Sequence, residues 1–134
     1  MPCPYNLWKI QTIMIYKCLS VVKPNGADIA RGIKTIEVRK WGLSFWPLKN
    51  LIIVENDNYL SQQYPEENGR VVAMVDVVHI RPWEEKDLKA SCAKVYENGW
   101  QAWVLSNIRE ISYPVPVPAK RKIYELDLDE GKLI

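Results

Sequence analysis

Phenylalanine is nearly missing from this chain of 134 residues: one Phe stands against six Trp and seven Tyr. The rings it does use carry a polar handle, which suits half-wet surfaces and pocket walls better than a dry interior. Histidine is as scarce, with His79 alone, and the three cysteines, Cys3, Cys18 and Cys92, are odd in number and far apart. That pattern argues against a disulfide framework and a structural zinc site, and fits a reducing cytoplasm. No apolar run approaches the ~18–20 residues a membrane span needs, so no membrane is expected as a partner. Residues 1–13 lack the basic start, apolar core and small-residue cleavage site of a signal peptide. Net charge is only +2, too little to coat nucleic acid by bulk electrostatics, so any nucleic-acid site has to be a local patch.

What is present is ordinary globular material, 48% hydrophobic and 25% charged, enough for one domain. No repeat or linker divides it. Residues 1–13 read as an N-terminal extension and 14–134 as the domain, with Met14 expected as a possible start of translation. Residues 13–22 form an apolar, β-branched run expected as a strand buried on both faces. Lys23-Pro24 ends it, Asn25 and Asp28 are placed to cap a helix of about two turns, and Gly32 stops that helix.

Strands are expected next over 33–41, 51–55 and 71–80, with an aromatic loop from Trp41 to Pro47 and a polar surface loop over 56–69. Over 84–98 the apolar residues Leu88, Cys92, Val95 and Tyr96 recur at helical spacing, with Cys92 expected as a small buried hydrophobe. Strands are expected again over 100–105, 108–115 and 122–128. The order β-α-β-β-β-α-β-β-β has too few helices for a doubly wound parallel sheet. The fold class is therefore α+β: a small, mostly antiparallel β-barrel with two short helices.

The densest set of functional side chains lies in Gly32-Ile33-Lys34-Thr35-Ile36-Glu37-Val38-Arg39-Lys40-Trp41. In a regular strand Thr35, Glu37, Arg39 and Trp41 share one face, and Glu37 can pair with Arg39 to hold its fork toward a ligand. Lys34 joins them only if the turn after Gly32 breaks the alternation, and that break is expected here. Lys23, Arg31, Lys34, Arg39 and Lys40 gather cations around this stretch, and Trp41, Phe45 and Trp46 offer flat faces on which a base can stack.

The pattern Gly-x-Lys-x-x-Glu-x-Arg, after a strand, Pro24 and a short helix, resembles the signature of the ASCH (activating signal cointegrator homology) domains, a branch of the PUA-like β-barrels. Leu19-Ser20, Gly69-Arg70-Val71-Val72, and the run from Trp103 through Arg109 to Pro114 are similar to the family's first, middle and closing strands. The resemblance implies a PUA-like barrel in which Lys34, Glu37 and Arg39 line a cleft beside the short helix. It also implies single-stranded RNA or a modified nucleoside as partner. The expected ligand-binding residues are Lys23, Lys34, Thr35, Glu37, Arg39 and Trp41.

Three functions are weighed. Binding without turnover is the first. The second is hydrolysis, with Lys34 and Glu37 catalytic, of an acetylcytidine-like amide or of RNA phosphodiesters. The family's amidohydrolases use a Thr nucleophile three residues after the lysine, where this chain has Glu37; Thr35 follows Lys34 directly. A protein-interaction module is third. No metal or organic cofactor is called for, and the sequence is silent on oligomeric state. The plainer alternatives are a Glu37–Arg39 pair that only keeps a strand face solvated, and Trp41 and Trp46 as barrel-end packing. His79 is expected to be structural. Lys120-Arg121-Lys122 is weighed as a phosphate contact, but the acidic run from Glu125 to Glu130 beside it favours a solvated edge, which is the expectation.

Overall fold

The computed structural model describes residues 12–133. The expected extension over 1–13 and Cys3 therefore lie almost wholly outside the described residues. Six strands form one sheet: β1 (Ile13–Val22), β2 (Ile36–Arg39), β3 (Leu48–Asn56), β4 (Glu66–Pro82), β5 (Gln101–Lys120) and β6 (Ile123–Asp129). Helix α1 spans Asn25–Ala30, and a 3-10 turn at Glu85–Asp87 leads into α2 at Leu88–Ser91.

The sheet order is β2-β5-β4-β3-β1-β6. Every pair is antiparallel except β1 with β3, which run parallel from Cys18↔Ile52 to Val22↔Asn56. A parallel pair needs a long crossover, supplied here by α1, β2 and the aromatic loop. Although β2 and β1 are far apart in the sheet order, Arg39 on β2 donates from Nη2 to the Ser20 carbonyl on β1 at 2.7 Å. Only a curled sheet brings these strands together, so the architecture is a half-barrel of the expected α+β class.

Both faces are covered at the centre. In β3, Leu51 and Ile53 join a core with Leu19, Val75 and Trp103, while Ile52 and Val54 join the opposite core with Cys18, Met74 and Ile111. This strict alternation follows from the period of two in a strand. Burying each such aliphatic side chain contributes about 1.5–3 kcal/mol. Burial on both faces holds only for the second half of β1, since Ile13, Met14 and Ile15 are exposed.

The structure corrects several expected elements. The strand over 33–41 is confined to Ile36–Arg39. The loop over 56–69 is shorter, because β4 already begins at Glu66. Gly69 lies inside β4, where a Cβ would sit 2.8 Å from Val54 Cγ1 and 3.0 Å from Ala119 Cβ. It marks a close approach of strands, not a turn.

The strands expected over 100–105 and 108–115 are one bent strand, β5, with bulges where it pairs with β4. Pro114, Pro116 and Pro118 alternate along its exposed face while Val115, Val117 and Ala119 turn inward. Asn25 does not cap α1 with its side chain: it donates to the Val22 carbonyl, and Glu55 Oε2 takes the Ala27 N–H at 2.9 Å. That cap comes from a distant strand, and Gly26 permits it, since a Cβ there would lie 2.7 Å from Glu55 Cβ.

The long helix over 84–98 is absent. Asp87 caps Glu84 N–H and is gripped by Arg81, α2 runs four residues, and Cys92 ends it in the left-handed region at φ 58°. The chain then folds back so that the Tyr96 ring lies 5.0 Å from Trp83 and its hydroxyl donates to the Trp83 carbonyl. Packing on Trp83 overrides the helical spacing. No described helix is long and apolar enough to cross a membrane.

Candidate ligand cleft

The segment between α1 and β2 builds the site. Gly32 turns at φ 76°, and the Ile33 and Lys34 N–H groups both donate to the Asp28 carbonyl, at 2.9 and 3.0 Å. Thr35 then bridges two elements through its backbone, donating to Ala90 O and accepting from Leu105 N. These bonds hold residues 33–35 out of the strand, and the alternation breaks where Lys34 needs it to. Lys34 and Glu37, three positions apart, end up side by side and buried.

Lys34 Nζ lies 3.4 Å from Glu37 Oε1 and donates to the Ser91 carbonyl at 2.6 Å. Arg39 Nε donates to Glu37 Oε2 at 2.7 Å, and Arg39 Nη2 reaches Ser20 O. One carboxylate thus holds two cations, a charge-assisted arrangement that orients both. Each keeps capacity to spare: an ammonium has three N–H donors and a guanidinium five. Among the described residues, Arg39 Nη1 has no partner.

This triplet lines a cleft of about 470 Å³ together with Trp41, Trp100 and Tyr59. Trp41 is half-buried, packed edge-on against Trp103 at 5.0 Å, with its carbonyl accepting Trp103 Nε1–H. It serves both as packing and as cleft wall. Lys40 Nζ lies 5.0 Å above the Trp100 ring, a cation–π distance. Tyr59 is 86% exposed at the mouth.

The expected residues divide. Lys34, Glu37, Arg39 and Trp41 are brought together in the cleft, whereas Lys23 and Thr35 are not among its lining residues. Lys23 pairs with Asp57 at 3.6 Å, and the Thr35 backbone is spent on the sheet. Cys92 is exposed at the cleft wall instead of buried on a helix. His79 is exposed and packs edge-on against Trp46 at 5.4 Å.

Lys120, Arg121 and Lys122, expected as a solvated edge, form the tight turn between β5 and β6 and line the same cleft. Ser20 ties this turn to the floor. Its carbonyl holds Arg39, and its Oγ accepts the Lys120 N–H at 3.1 Å and shares a 2.8 Å hydrogen bond with the Tyr124 hydroxyl. Burial pushes the Tyr124 phenol up to about 12, against the opposing pull of Ser20, so it stays protonated at neutral pH. Tyr59, Leu60 and Trp100 were missed by sequence reasoning. An aromatic inside a polar loop, as in Asn58-Tyr59, was the available signal.

Among the described residues no three side chains of metal-ligating type gather into a possible ion site. The cleft's own chemistry is cationic and aromatic. No curated protein matches the chain. Among solved structures, a tyrosine-to-phenylalanine variant of ZmASCH from Zymomonas mobilis is similar over 87% of this chain and 92% of that one, with 13% identity and a TM-score of 0.50. At that identity the likeness concerns the fold. The family model of the ASCH domain matches residues 19–115, which hold the Lys34–Glu37–Arg39 floor and all of β2, β3 and β4. With that match over most of its length, the chain belongs to the ASCH domain family.

Proposed function

We propose that the cleft binds single-stranded RNA or a modified nucleoside, with Lys34, Glu37 and Arg39 as its floor and Trp41, Tyr59 and Trp100 as its stacking walls. The observation that carries this is the convergence of two cations on one buried carboxylate inside a cavity lined by aromatic rings. Glu37 fixes the two donors; their remaining N–H groups are left for base carbonyls or phosphate oxygens. A single base–aromatic stack supplies about 1–3 kcal/mol, so a small site suffices for a selective ligand.

The test is a titration of short single-stranded RNA at low salt, followed by Trp fluorescence, in wild type and Arg39→Ala. The Arg39 side chain is 23% exposed and Lys34 still faces Glu37 once it is removed, so a urea melt of the variant accompanies the titration to check that the fold survives. Saturable quenching in wild type that vanishes in the variant is expected. No response from RNA or from modified nucleosides, or binding indifferent to Arg39, would overturn the proposal.

Hydrolysis is the second reading, favoured by the 3.4 Å approach of Lys34 Nζ to Glu37 Oε1. It asks Glu37 to move a proton and Lys34 or Arg39 to stabilise developing negative charge. Two facts weigh against it. Thr35 is not among the lining residues, and both Glu37 oxygens already face cations. Turnover of acetylcytidine or RNA that Glu37→Gln abolishes without unfolding the protein would favour this reading over binding alone.

A further inference from the structure

The rim of the cleft points to the chemical class of the ligand. Several cations elsewhere in the molecule are held by carboxylates: Lys17 by Glu125, Lys23 and Arg70 by Asp57, Arg81 by Asp87, Arg109 by Asp76. Arg31, Lys49, Lys89, Lys94 and Lys132 are in no ion pair among the described residues but do not line the cleft. Lys40, Lys120, Arg121 and Lys122 differ from these in being gathered at one cavity. All four are exposed and line one cleft, and among the described residues none is in an ion pair. Glu37, the one acid in the lining, is already engaged by Lys34 and Arg39.

The acidic run of β6 does not neutralise the turn. Glu125 is paired with Lys17 at 3.4 Å. A strand rises about 3.3 Å per residue, which puts Asp127 roughly 16 Å along from Lys122, past the screening length of about 8 Å at physiological salt. The turn is also held in place. Lys120 N–H is fixed by Ser20 Oγ, and Lys122 adopts φ 59°.

We infer that Lys120, Arg121 and Lys122, with Lys40 in the same cleft lining, form a phosphate-binding rim, so that the ligand is a phosphate-bearing nucleotide or strand and not a free nucleoside. This rests on the floor proposed above as the seat of the base. A base against Trp41 or Trp100 would carry its sugar-phosphate toward the rim, where unpaired cations replace condensed counterions.

The experiment titrates cytidine, cytidine 5′-monophosphate and a cytidine hexanucleotide, each plain and N4-acetylated, over a salt series. The proteins are wild type, Arg39→Ala, the triple variant Lys120→Gln/Arg121→Gln/Lys122→Gln, and the single Arg121→Glu, which avoids the left-handed Lys122 position. Lys49→Gln, an exposed cation outside the cleft lining, serves as control. Affinity is expected to rise from nucleoside to monophosphate to hexanucleotide. The triple variant is expected to weaken hexanucleotide binding at least tenfold at low salt and to cut the slope of log affinity against log salt by about two. Nucleoside binding should be unmoved, and Arg121→Glu should act in the same direction.

A nucleoside that binds as tightly as its phosphorylated forms overturns the rim. So do rim variants that keep the wild-type affinity and slope while Arg39→Ala abolishes binding; the floor then stands. Binding that needs the rim and ignores Arg39 keeps the rim and overturns the floor. No response to any probe overturns both.

Discussion

Glu37 and Asp76 are both strand carboxylates, both buried, and both flanked by an arginine, yet they belong to different parts of the molecule's work. Asp76 accepts the Asn50 N–H at 3.0 Å, the Asn107 amide at 3.1 Å and Arg109 Nη2 at 2.8 Å. Burial alone would raise its carboxyl, and these bonds together hold it below the ordinary carboxylate range. All three nitrogens of Arg109 are engaged in turn: Nε donates to Asn107 O and Nη1 to Asn50 Oδ1. Since Asn50 and Asn107 take left-handed backbones, at φ 59° and 49°, the cluster pins irregular points of β3 and β5, the two strands that flank β4. Glu37 instead holds cations that retain donors, and they face a cavity. A buried ion pair by itself says little about function; spare donors beside open space say more.

That contrast is sharpened first by Asp76→Ala. Removing a carboxylate that satisfies three donors should cost about 4 kcal/mol, seen as a lower urea midpoint, with ligand affinity unchanged wherever the protein stays folded. Loss of binding with stability intact would break the comparison. At the cleft, Glu37→Leu leaves Lys34 buried without its counter-charge and should cost about 3 kcal/mol. Adding Lys34→Met removes the stranded charge, and the double variant should return to within about 1 kcal/mol of wild type. Binding, however, should stay lost in the double variant. Recovery of both would make the pair a structural pin like Asp76.

How much of this was legible beforehand depended on range. The strands at 13–22 and 71–80 showed in their apolar runs, because burial on two faces, over 18–21 and 71–77, writes itself into consecutive residues. The Lys34–Glu37–Arg39 floor was legible from one short stretch, as was the break after Gly32, because all of its geometry is local. The four-residue α2 was not. Its helical spacing at Leu88, Val95 and Tyr96 is real, but Tyr96 is drawn onto Trp83 by packing that periodicity does not record. The basic turn is exposed as expected, but its place in the cleft lining was not legible. Nearness in sequence to Glu125 suggested neutralisation, whereas Glu125 is spent on Lys17 across the strand pair.

A third carboxylate lies between the two cases and gives the smallest effect. Glu67 accepts the Asn58 N–H and side-chain amide, the Asn56 amide and the Asp57 N–H, and these bonds, the Asn58 N–H foremost, hold its carboxyl down to about 2. From β4 it holds the start of the loop that presents Tyr59 and Leu60 to the cleft, so it acts on fold and site at once. A carboxyl depressed in the folded state adds stability that is complete above its unfolded value, near about 4.3, and that drains away as pH falls through about 2. The urea midpoint of wild type should therefore fall across that window, and that of Glu67→Gln should fall less steeply. Asp76 and Asp87, both held below the usual range, keep part of the slope in the variant. At neutral pH Glu67→Gln should weaken ligand binding a few-fold through the loosened Tyr59 loop. Equal slopes for the two proteins would show that the bonds to Glu67 do not persist in solution, and Tyr59 would then lose its fixed place at the cleft mouth.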